Sequence, residues 1–404
     1  MKICMIATRH SLDDARVVHK EALSLKNAGH EVILVLSCND EFEYIDNNNR
    51  VIAYGKYPNG ECRYKGLKIF GFPKRTGLLG KWQTYKILSF FLAELKADIY
   101  HAHEPDLSLG IALRAKNFLK TKGIKSYVIH DMHEYPPGQA YDKAKGVFKN
   151  IMRYIKILLD YYFVKNIDSI ITANTIVRGY VLTLSYRKSI DVIYNAPILK
   201  LSPQLSPSVW DKNSKLMICH EGSLPFNRGL KELIGLVKEY KNKIKLRIIG
   251  DVFGSEREWF EKEVKKHQLE KSIDVTGWLP YEQVGDALRG CHVGLILFDD
   301  IMNNRLAGPP NKLFNYMNAG LPVVSVDFPE MHHIINEENC GILIKGQVKN
   351  SLKSTINTLL NLEPKHLLLM GINGQRAIRD RYSWEIMEKR LLNVYNNIGS
   401  HTNY

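Results

Sequence analysis

The sequence predicts an α/β protein of two domains, each built on a parallel sheet with helices on both faces. Three observations carry this reading. Short β-branched, apolar runs alternate with helical stretches along the chain, the pattern of strand–helix–strand units. The 404 residues are enough for two or three domains at roughly 150 residues each. A stretch with Pro197, Pro203, Pro207 and several serines, running to Lys212, interrupts the alternation and reads as a linker.

In the first half the runs predict strands over 3–8, 31–37, 98–103, 127–132, 169–173 and 192–194. Between the first two, 15–27 reads as a helix with Val18, Ala22 and Leu25 on one face and Gly29 closing it. Residues 55–82 read as a long irregular connection rich in Gly, Lys, Arg and aromatics, suited to acceptor or membrane contact. Residues 145–162 form an amphipathic pattern. Phe148, Met152, Ile155, Leu159 and Tyr162 make one stripe, and Lys145, Lys149, Arg153 and Lys156 a band beside it. Such a helix either packs its stripe on its own sheet or lies on an anionic bilayer. In the second half the strands fall over 216–220, 246–249, 273–276, 293–298, 323–326 and 341–344. The domains are therefore expected at 1–196 and 213–380, with the linker at 197–212 and a C-terminal helix from 381 to 404.

Bulk properties bound the function. Hydrophobic residues make up 45% and charged ones 24%, ordinary for a globular chain with substantial cores. No apolar run reaches the ~18 residues of a membrane-crossing helix, and MKICMIAT reads as a first strand rather than a signal peptide. The six cysteines are scattered without a Cys-x-x-Cys pair, which fits a reducing cytosol and argues against structural zinc. A net charge of +14 suits an anionic membrane or a phosphate-bearing substrate, or reflects a solvated basic surface. No nucleic-acid-binding motif is legible. The expected place is the cytoplasm, with peripheral attachment to the inner face of the plasma membrane as the form that the charge favours.

The most informative segment is RLAGPPNKLFNYMNAGLPVVSVD, Arg305 to Asp327. Pro309 and Pro310 open a short helix over 312–318, Gly320 and Pro322 end it, and PVVSVD follows as a strand buried on both faces. Leu313, Tyr316 and Met317 can face a core. Dipole reasoning makes Lys312 a poor choice for a first turn, so it is either solvated or placed for an anion.

Two histidine motifs lie at strand ends, where open α/β sheets bind ligands. The first is His101-Ala-His103-Glu104-Pro105; the second is His130-Asp131-Met132-His133-Glu134-Tyr135. Alternation turns His101 and His130 into the sheet as structural groups, while His133 falls past the strand end. In the second half, Glu221-Gly222-Ser223-Leu-Pro-Phe-Asn-Arg228-Gly229 is a strand, a glycine turn and a helix start, a context in which backbone N–H groups meet phosphate.

The segment P-N-K-L-F-x-Y-M-x-A-G-x-P-V-V resembles the donor-site signature of the retaining glycosyltransferases of family four, and ARVVHKEALSLKNAGHEVILVLS resembles their opening strand–helix–strand unit. The resemblance covers nearly the whole chain. It implies the GT-B fold: two Rossmann-like domains facing across a cleft, acceptor in the first, nucleotide-sugar donor in the second, and a last helix crossing back to the first. It implies catalytic roles for His133, Glu134, Arg228 and Lys312, with His133 beside the sugar and Glu134 orienting it or touching the acceptor. Donor binding falls to Gly222, Ser223, Arg228, Asp251, Leu279, Pro310, Lys312, Leu313 and Asn315, acceptor contact to His103 and Glu104. Arg228 is the diphosphate clamp, and main-chain groups near Leu279 read the base. Trp278 is expected to be a core aromatic.

The chain departs from the family at four places. Asn315 and Ala307 stand where the family has glutamates for the ribose and the transferred sugar. Ser223 replaces an arginine, and T-R-H-S-L-D-D replaces a glycine-rich loop. No Asp-x-Asp is present, so no metal and no cofactor are expected beyond the nucleotide-sugar co-substrate. The implied activity is retaining transfer of a sugar from a UDP- or GDP-linked donor to a glycan or lipid-linked acceptor, in surface polysaccharide biosynthesis. An inactive sugar-nucleotide-binding protein and, less so, a sugar-nucleotide epimerase are the alternatives on the same fold.

Overall fold

The computed structural model describes residues 1–46, 50–73, 77–103, 107–143, 145–186, 188–202 and 204–400. The chain divides into two units, one of Met1–Asn195 with the C-terminal stretch from Met387, the other of Ala196–Ile386.

Among the described residues the first unit carries an eight-stranded sheet in the order β10-β9-β8-β7-β1-β2-β6-β5. Its strands are β1 (Lys2–Ala7), β2 (Glu31–Cys38), β5 (Cys62–Tyr64), β6 (Leu67–Pro73), β7 (Ile99–His103), β8 (Tyr127–Met132), β9 (Ser169–Thr172) and β10 (Ile190–Val192). Every pairing is parallel except β5 with β6. A separate antiparallel pair, β3 (Glu43–Ile45) with β4 (Val51–Tyr54), lies between β2 and β5 in sequence. The inner strands are apolar along their length because both faces are covered: Ile3, Met5, Ile6, Leu34, Val35, Val128 and Ile129 have no exposed surface. The helical segment after β1 begins with a π-helical turn, Val17–Ala22, and continues as Leu23–Asn27, burying Val18, Ala22 and Leu25 as expected.

Residues 55–82 are not the irregular connection expected. LKIFGFP runs as β6 alongside β2 with Leu67, Ile69 and Phe70 buried, and a helix spans Gly77–Leu95. The surrounding Gly, Lys and aromatic residues masked a short strand whose alternation is nonetheless present. The last strand of this sheet also ends earlier than expected, at Val192.

The second unit carries β11 (Leu216–Glu221), β12 (Ile244–Ile249), β13 (Ile273–Val275), β14 (Val293–Ile296), β15 (Val323–Val326) and β16 (Gly341–Ile344). Their order, β13-β12-β11-β14-β15-β16, is all parallel and reverses between β11 and β14. Counted within the unit this is 3-2-1-4-5-6, the doubly wound nucleotide-binding arrangement, whose ligands sit at the strand ends by the reversal. Leu216, Ile218, Leu246, Ile248 and Val293 pack against Leu230, Leu233 and Val237 of the helix Leu230–Glu239. In the first unit the order reverses between β1 and β7.

The last helix, Trp384–Ser400, begins in the second unit, and from Met387 onward it packs in the first. There the Tyr194 N–H reaches Met387 Sδ at 3.3 Å, and the Tyr395 hydroxyl, fully buried, lies 2.7 Å from His101 Nδ1.

Candidate functional site

In the second unit the expected donor residues converge where the strand order reverses. The helix Asn311–Asn318 is buried from Lys312 to Asn318, anchored by Leu313, Tyr316 and Met317 in the core. Gly294 makes the seat for Tyr316: a Cβ there would lie 2.3 Å from the tyrosine ring. The Tyr316 hydroxyl in turn accepts the Glu221 N–H at 2.7 Å, so the helix is pinned to the end of β11. Gly222 follows with φ +89, a conformation that L side chains rarely adopt, and turns the chain toward Ser223.

Lys312 is buried, and its Nζ lies 3.1 Å from His220 Nε2. Burial, aided by the nearby charge of Arg228 and opposed by Glu221, brings its pKa down to about 7. Burial and the Lys312 charge hold His220 well below the usual imidazole range. The Arg228 guanidinium faces the Ser223 carbonyl at 3.5 Å and lies 5.9 Å from the Phe298 ring centre. Among the described residues no carboxylate is in ion-pair contact with Arg228 or Lys312. Two basic side chains thus converge near strand ends with no carboxylate in ion-pair contact among the described residues, an arrangement that favours an incoming dianion.

The other donor residues divide. Asn315 donates through Nδ2 to Glu221 Oε1 at 2.8 Å. Asp251 caps its own turn through the Val252 N–H and pairs with Arg257 at 3.1 Å. Pro310 caps the donor helix half-buried, and Leu279 is half-buried after the Gly277 turn. The Leu313 side chain has no exposed surface and is core rather than ligand contact. Trp278 is half exposed, not the core aromatic expected, because β13 ends at Val275 and leaves the Gly277 turn outside the sheet.

In the first unit a cluster forms at the reversal between β1 and β7. Asp131, fully buried, takes two hydrogen bonds from Arg16 Nη2, at 3.0 and 2.9 Å, and lies 3.0 Å from His133 Nε2. Burial raises its pKa, but the Arg16 and His133 charges outweigh this and hold it well below the carboxylate range. Arg16 also meets Glu21 at 2.9 Å and donates to the Ile193 carbonyl at 2.6 Å. Burial keeps the Glu21 carboxyl well above its ordinary pKa despite Arg16. His133 is part-exposed, with the His10 ring centre 5.2 Å away and His10 tied to Asp14 at 2.8 Å. Asp14 accepts the Arg16 and Val17 N–H groups and so starts the helix. The loop in place of the glycine-rich one is therefore an Asp-anchored turn carrying His10.

His103, expected at the acceptor, has no exposed surface and sits behind His133, 3.4 Å from it. Burial lowers its pKa to about 4. It suits holding His133 rather than touching a substrate. Glu134 is exposed beside His133; Glu104 lies outside the described residues. His101 and His130 are buried, as alternation required. Sequence reasoning missed Asp131 and His10 as neighbours of His133, and Arg16 as the partner of Asp131.

Glu21, His101, His103 and Asp131 hold ligand-type atoms within 4.8 Å of one another. The Arg16 guanidinium already contacts both carboxylates, so the positive charge a metal would bring is supplied by the chain itself. No helix among the described residues is long and apolar enough to cross a membrane.

Two family signatures match, "Glycosyltransferase Family 4" over residues 15–197 and "Glycosyl transferases group 1" over residues 206–376. Among curated relatives, the chain is similar to the chitobiosyldiphosphodolichol beta-mannosyltransferases of Yarrowia lipolytica and Dictyostelium discoideum. The first is 27% identical over 140 residues, 35% of this chain and 28% of that protein; the second is 21% identical over 267 residues, 61% and 51%. The chain thus spans about half or less of the length of these relatives. Among solved structures it resembles the sucrose-phosphate synthase of Thermosynechococcus elongatus, at TM-score 0.73 and 14% identity, covering 99% of this chain and 100% of that one. It also resembles Anabaena HepE in complex with UDP, at TM-score 0.71 and 13% identity, covering 98% and 100%. With two parallel-sheet units, both reversal points occupied by charged clusters and both signatures matched in order, the chain belongs to the GT-B glycosyltransferases of the group 1 type.

Proposed function

We propose that the protein moves a sugar from a UDP- or GDP-linked donor to a glycan or lipid-linked acceptor, with retention and without a divalent metal, in the assembly of a surface polysaccharide. The observation that carries this is the convergence of Arg228 and Lys312, free of carboxylate partners among the described residues, beside the strand ends at the reversal of the second sheet. A leaving diphosphate needs its developing charge met there, and preorganised cations in a dry site supply several kcal/mol of that. HepE was solved with UDP, and the curated relatives carry the name of a transferase acting on a dolichol-linked sugar; both support a nucleotide donor and a lipid-linked acceptor. His133, fixed by Asp131, acts next to the transferred sugar, and a phosphate oxygen of the leaving group serves as base for the acceptor hydroxyl.

A second reading, inversion, has its own support. His133 bound to Asp131 at 3.0 Å has the geometry of a general base, and the relatives are named beta-mannosyltransferases. The test is transfer with labelled UDP- and GDP-sugars followed by NMR of the new anomeric centre. Retention keeps the donor's configuration and survives EDTA. An opposite anomer would move the base role to His133, and an epimerised nucleotide sugar without acceptor product would replace transfer altogether.

We also infer that the first unit docks on an anionic bilayer at the cytoplasmic face. The helix Phe148–Asn166 takes the outward of the two arrangements open to it, with the stripe Phe148, Met152, Ile155, Leu159 and Tyr162 exposed rather than packed on the sheet. Its buried side carries Asp160 and Val164, with Lys156 turned inward to Asp160 at 2.9 Å. Phe148, Ile151, Tyr154, Ile155 and Leu158 face outward, Leu158 at 69% exposure. Apolar and tyrosine side chains outward, Lys145 and Lys165 exposed at the two ends, and a chain charge of +14 together fit a membrane interface.

A further inference from the structure

We propose that Glu21 is a positioning residue of the transfer reaction. As an uncharged acid it donates to His103 Nε2, and through His103 and Asp131 it sets the tautomer in which His133 works. Local structure brings the group into place. The Glu21 N–H bonds the Arg16 carbonyl at 2.9 Å, five residues back, which is the pattern of the π-helical turn Val17–Ala22. An α-helical turn would rotate residues 16 and 21 onto different faces. The wider turn stacks both side chains on the inward face, where both are buried.

Three carboxylates stand here, and the donors are unequally shared among them. Asp131 takes the Arg16 Nε and Nη2 hydrogens and faces His133 Nε2. Asp14 takes the Arg16 and Val17 backbone N–H groups and meets His10 Nδ1. Glu21 is fully buried, and neither of its oxygens has a hydrogen-bond partner among the described residues. Arg16 Nε lies 2.9 Å from Glu21 Oε1 but directs its N–H to Asp131. Lys20, on the same turn, donates to Asn195 Oδ1 at 2.5 Å. Two cations among three carboxylates leave one proton to be kept, and the carboxyl that receives no N–H is the one that keeps it.

The histidines then fall into one tautomer each. An ionised Asp131 only accepts, so the nitrogens facing its Oδ2 carry the hydrogens: Nε2 of His133 at 3.0 Å and Nδ1 of His103 at 3.4 Å. Burial keeps His103 uncharged, so its Nε2 holds a lone pair, and Glu21 Oε2 lies 3.8 Å from that atom. Two acceptors would repel there; a proton on Glu21 makes the contact attractive. On the other side, the buried Tyr395 has to spend its O–H, and His101 Nδ1 lies 2.7 Å away. His101 therefore carries its hydrogen on Nε2, and one nitrogen of that ring is within 4.8 Å of a Glu21 oxygen. A carboxylic acid offers the complementary pair, a donor for His103 and an acceptor for His101. Without that donor, His103 can take its hydrogen on Nε2, and its bare Nδ1 then competes with Asp131 for the His133 N–H, 3.4 Å away. With it, His133 keeps its lone pair on Nδ1, the form that accepts a substrate hydroxyl through that nitrogen. The inference rests on the reading above that His133 serves the reaction and adds the residue that fixes its proton.

The test combines transfer from labelled UDP- and GDP-sugars to a lipid-linked glycan with spectroscopy on the full chain. Glu21→Leu, which offers no donor, should lower transfer about 10- to 100-fold while nucleotide affinity stays within about threefold. Glu21→Gln, an uncharged donor and acceptor, should restore transfer to within about threefold of the unaltered protein. The infrared carbonyl band of a protonated carboxylic acid should be present at neutral pH and lose one component in Glu21→Gln. Nitrogen NMR of labelled histidine, with His133 assigned by its loss in His133→Ala, should place the His133 hydrogen on Nε2. These spectra decide even where Glu21→Leu does not fold. A band unchanged by Glu21→Gln, the opposite His133 tautomer, Glu21→Gln as impaired as Glu21→Leu, or Glu21→Leu as active as the unaltered protein overturns the assignment and leaves the role of His133 standing. Full transfer by His133→Ala overturns the reading beneath it and the positioning role together.

Discussion

Donor binding should take up a proton at Lys312. Burial holds this lysine at a pKa of about 7, below its ordinary 10.5. At pH 8 about nine molecules in ten then carry it neutral, by the ordinary titration relation. A bound diphosphate next to the amine favours the charged form and raises the pKa again. Binding at pH 8 should therefore take up about 0.9 proton, at pH 6 close to none, and affinity should fall as pH rises above 7. Calorimetry with UDP or GDP in buffers of different ionisation enthalpy reads the uptake as a slope. Lys312→Met should abolish the slope at pH 8 and weaken binding by about 10- to 100-fold, through loss of one charge-assisted contact. The same change should stabilise the empty second unit near neutral and acid pH. The sign follows from linkage: a lysine lowered from 10.5 to about 7 costs folding on the order of 5 kcal/mol well below pH 7, a cost that fades as pH rises from 7 toward 10.5. A slope of zero in the unaltered protein at pH 8, or an equal slope in Lys312→Met, refutes the reasoning.

Other outcomes follow from the first unit. His133→Ala should abolish transfer in a product assay while leaving nucleotide affinity within about threefold, because His133 belongs to the first unit and the nucleotide pocket to the second. Asp131→Asn should destabilise the chain by about 3–5 kcal/mol in urea unfolding, since it strips a buried arginine of a bidentate partner. His103 is held at about 4 against an ordinary 6.5, so the unfolded chain binds the extra proton between those values. Stability should then fall on acidification from pH 6.5 to 4, by roughly 3 kcal/mol from this group, as read by thermal unfolding across that window. Ile151→Glu with Leu158→Glu should prevent co-sedimentation with anionic vesicles while far-UV circular dichroism stays unchanged; pelleting that persists removes the bilayer reading of the helix Phe148–Asn166.

Much of the fold was legible because parallel strands buried on both faces are written as continuous apolar runs. VVSV at 323–326 and YVIHDM at 127–132 were placed to the residue. LKIFGF escaped because it sits among turn residues and cations, and edge-side strands have a weaker pattern. Periodicity located the helix Phe148–Asn166 but not which side faces the protein. Burial is decided by what lies opposite, and there Asp160 and Val164, not the longer apolar stripe, meet the neighbouring elements. The donor residues could be read from a contiguous motif. The Arg16–Asp131–His133 network could not, because its members are brought together by pairing of β7 with β8 and by packing of the helix after β1, over a separation of 115 residues between Arg16 and Asp131. The Glu221–Asn315 hydrogen bond was not legible for the same reason: its partners lie 94 residues apart.

The most direct test of the whole account is release of nucleoside diphosphate from labelled UDP- and GDP-sugars, measured with and without a lipid-linked glycan acceptor. The account predicts release coupled one-to-one to a glycosylated product, dependent on acceptor, insensitive to EDTA and lost in Arg228→Ala. Release that ignores both the acceptor and Arg228, or a protein that binds neither nucleotide, would contradict it.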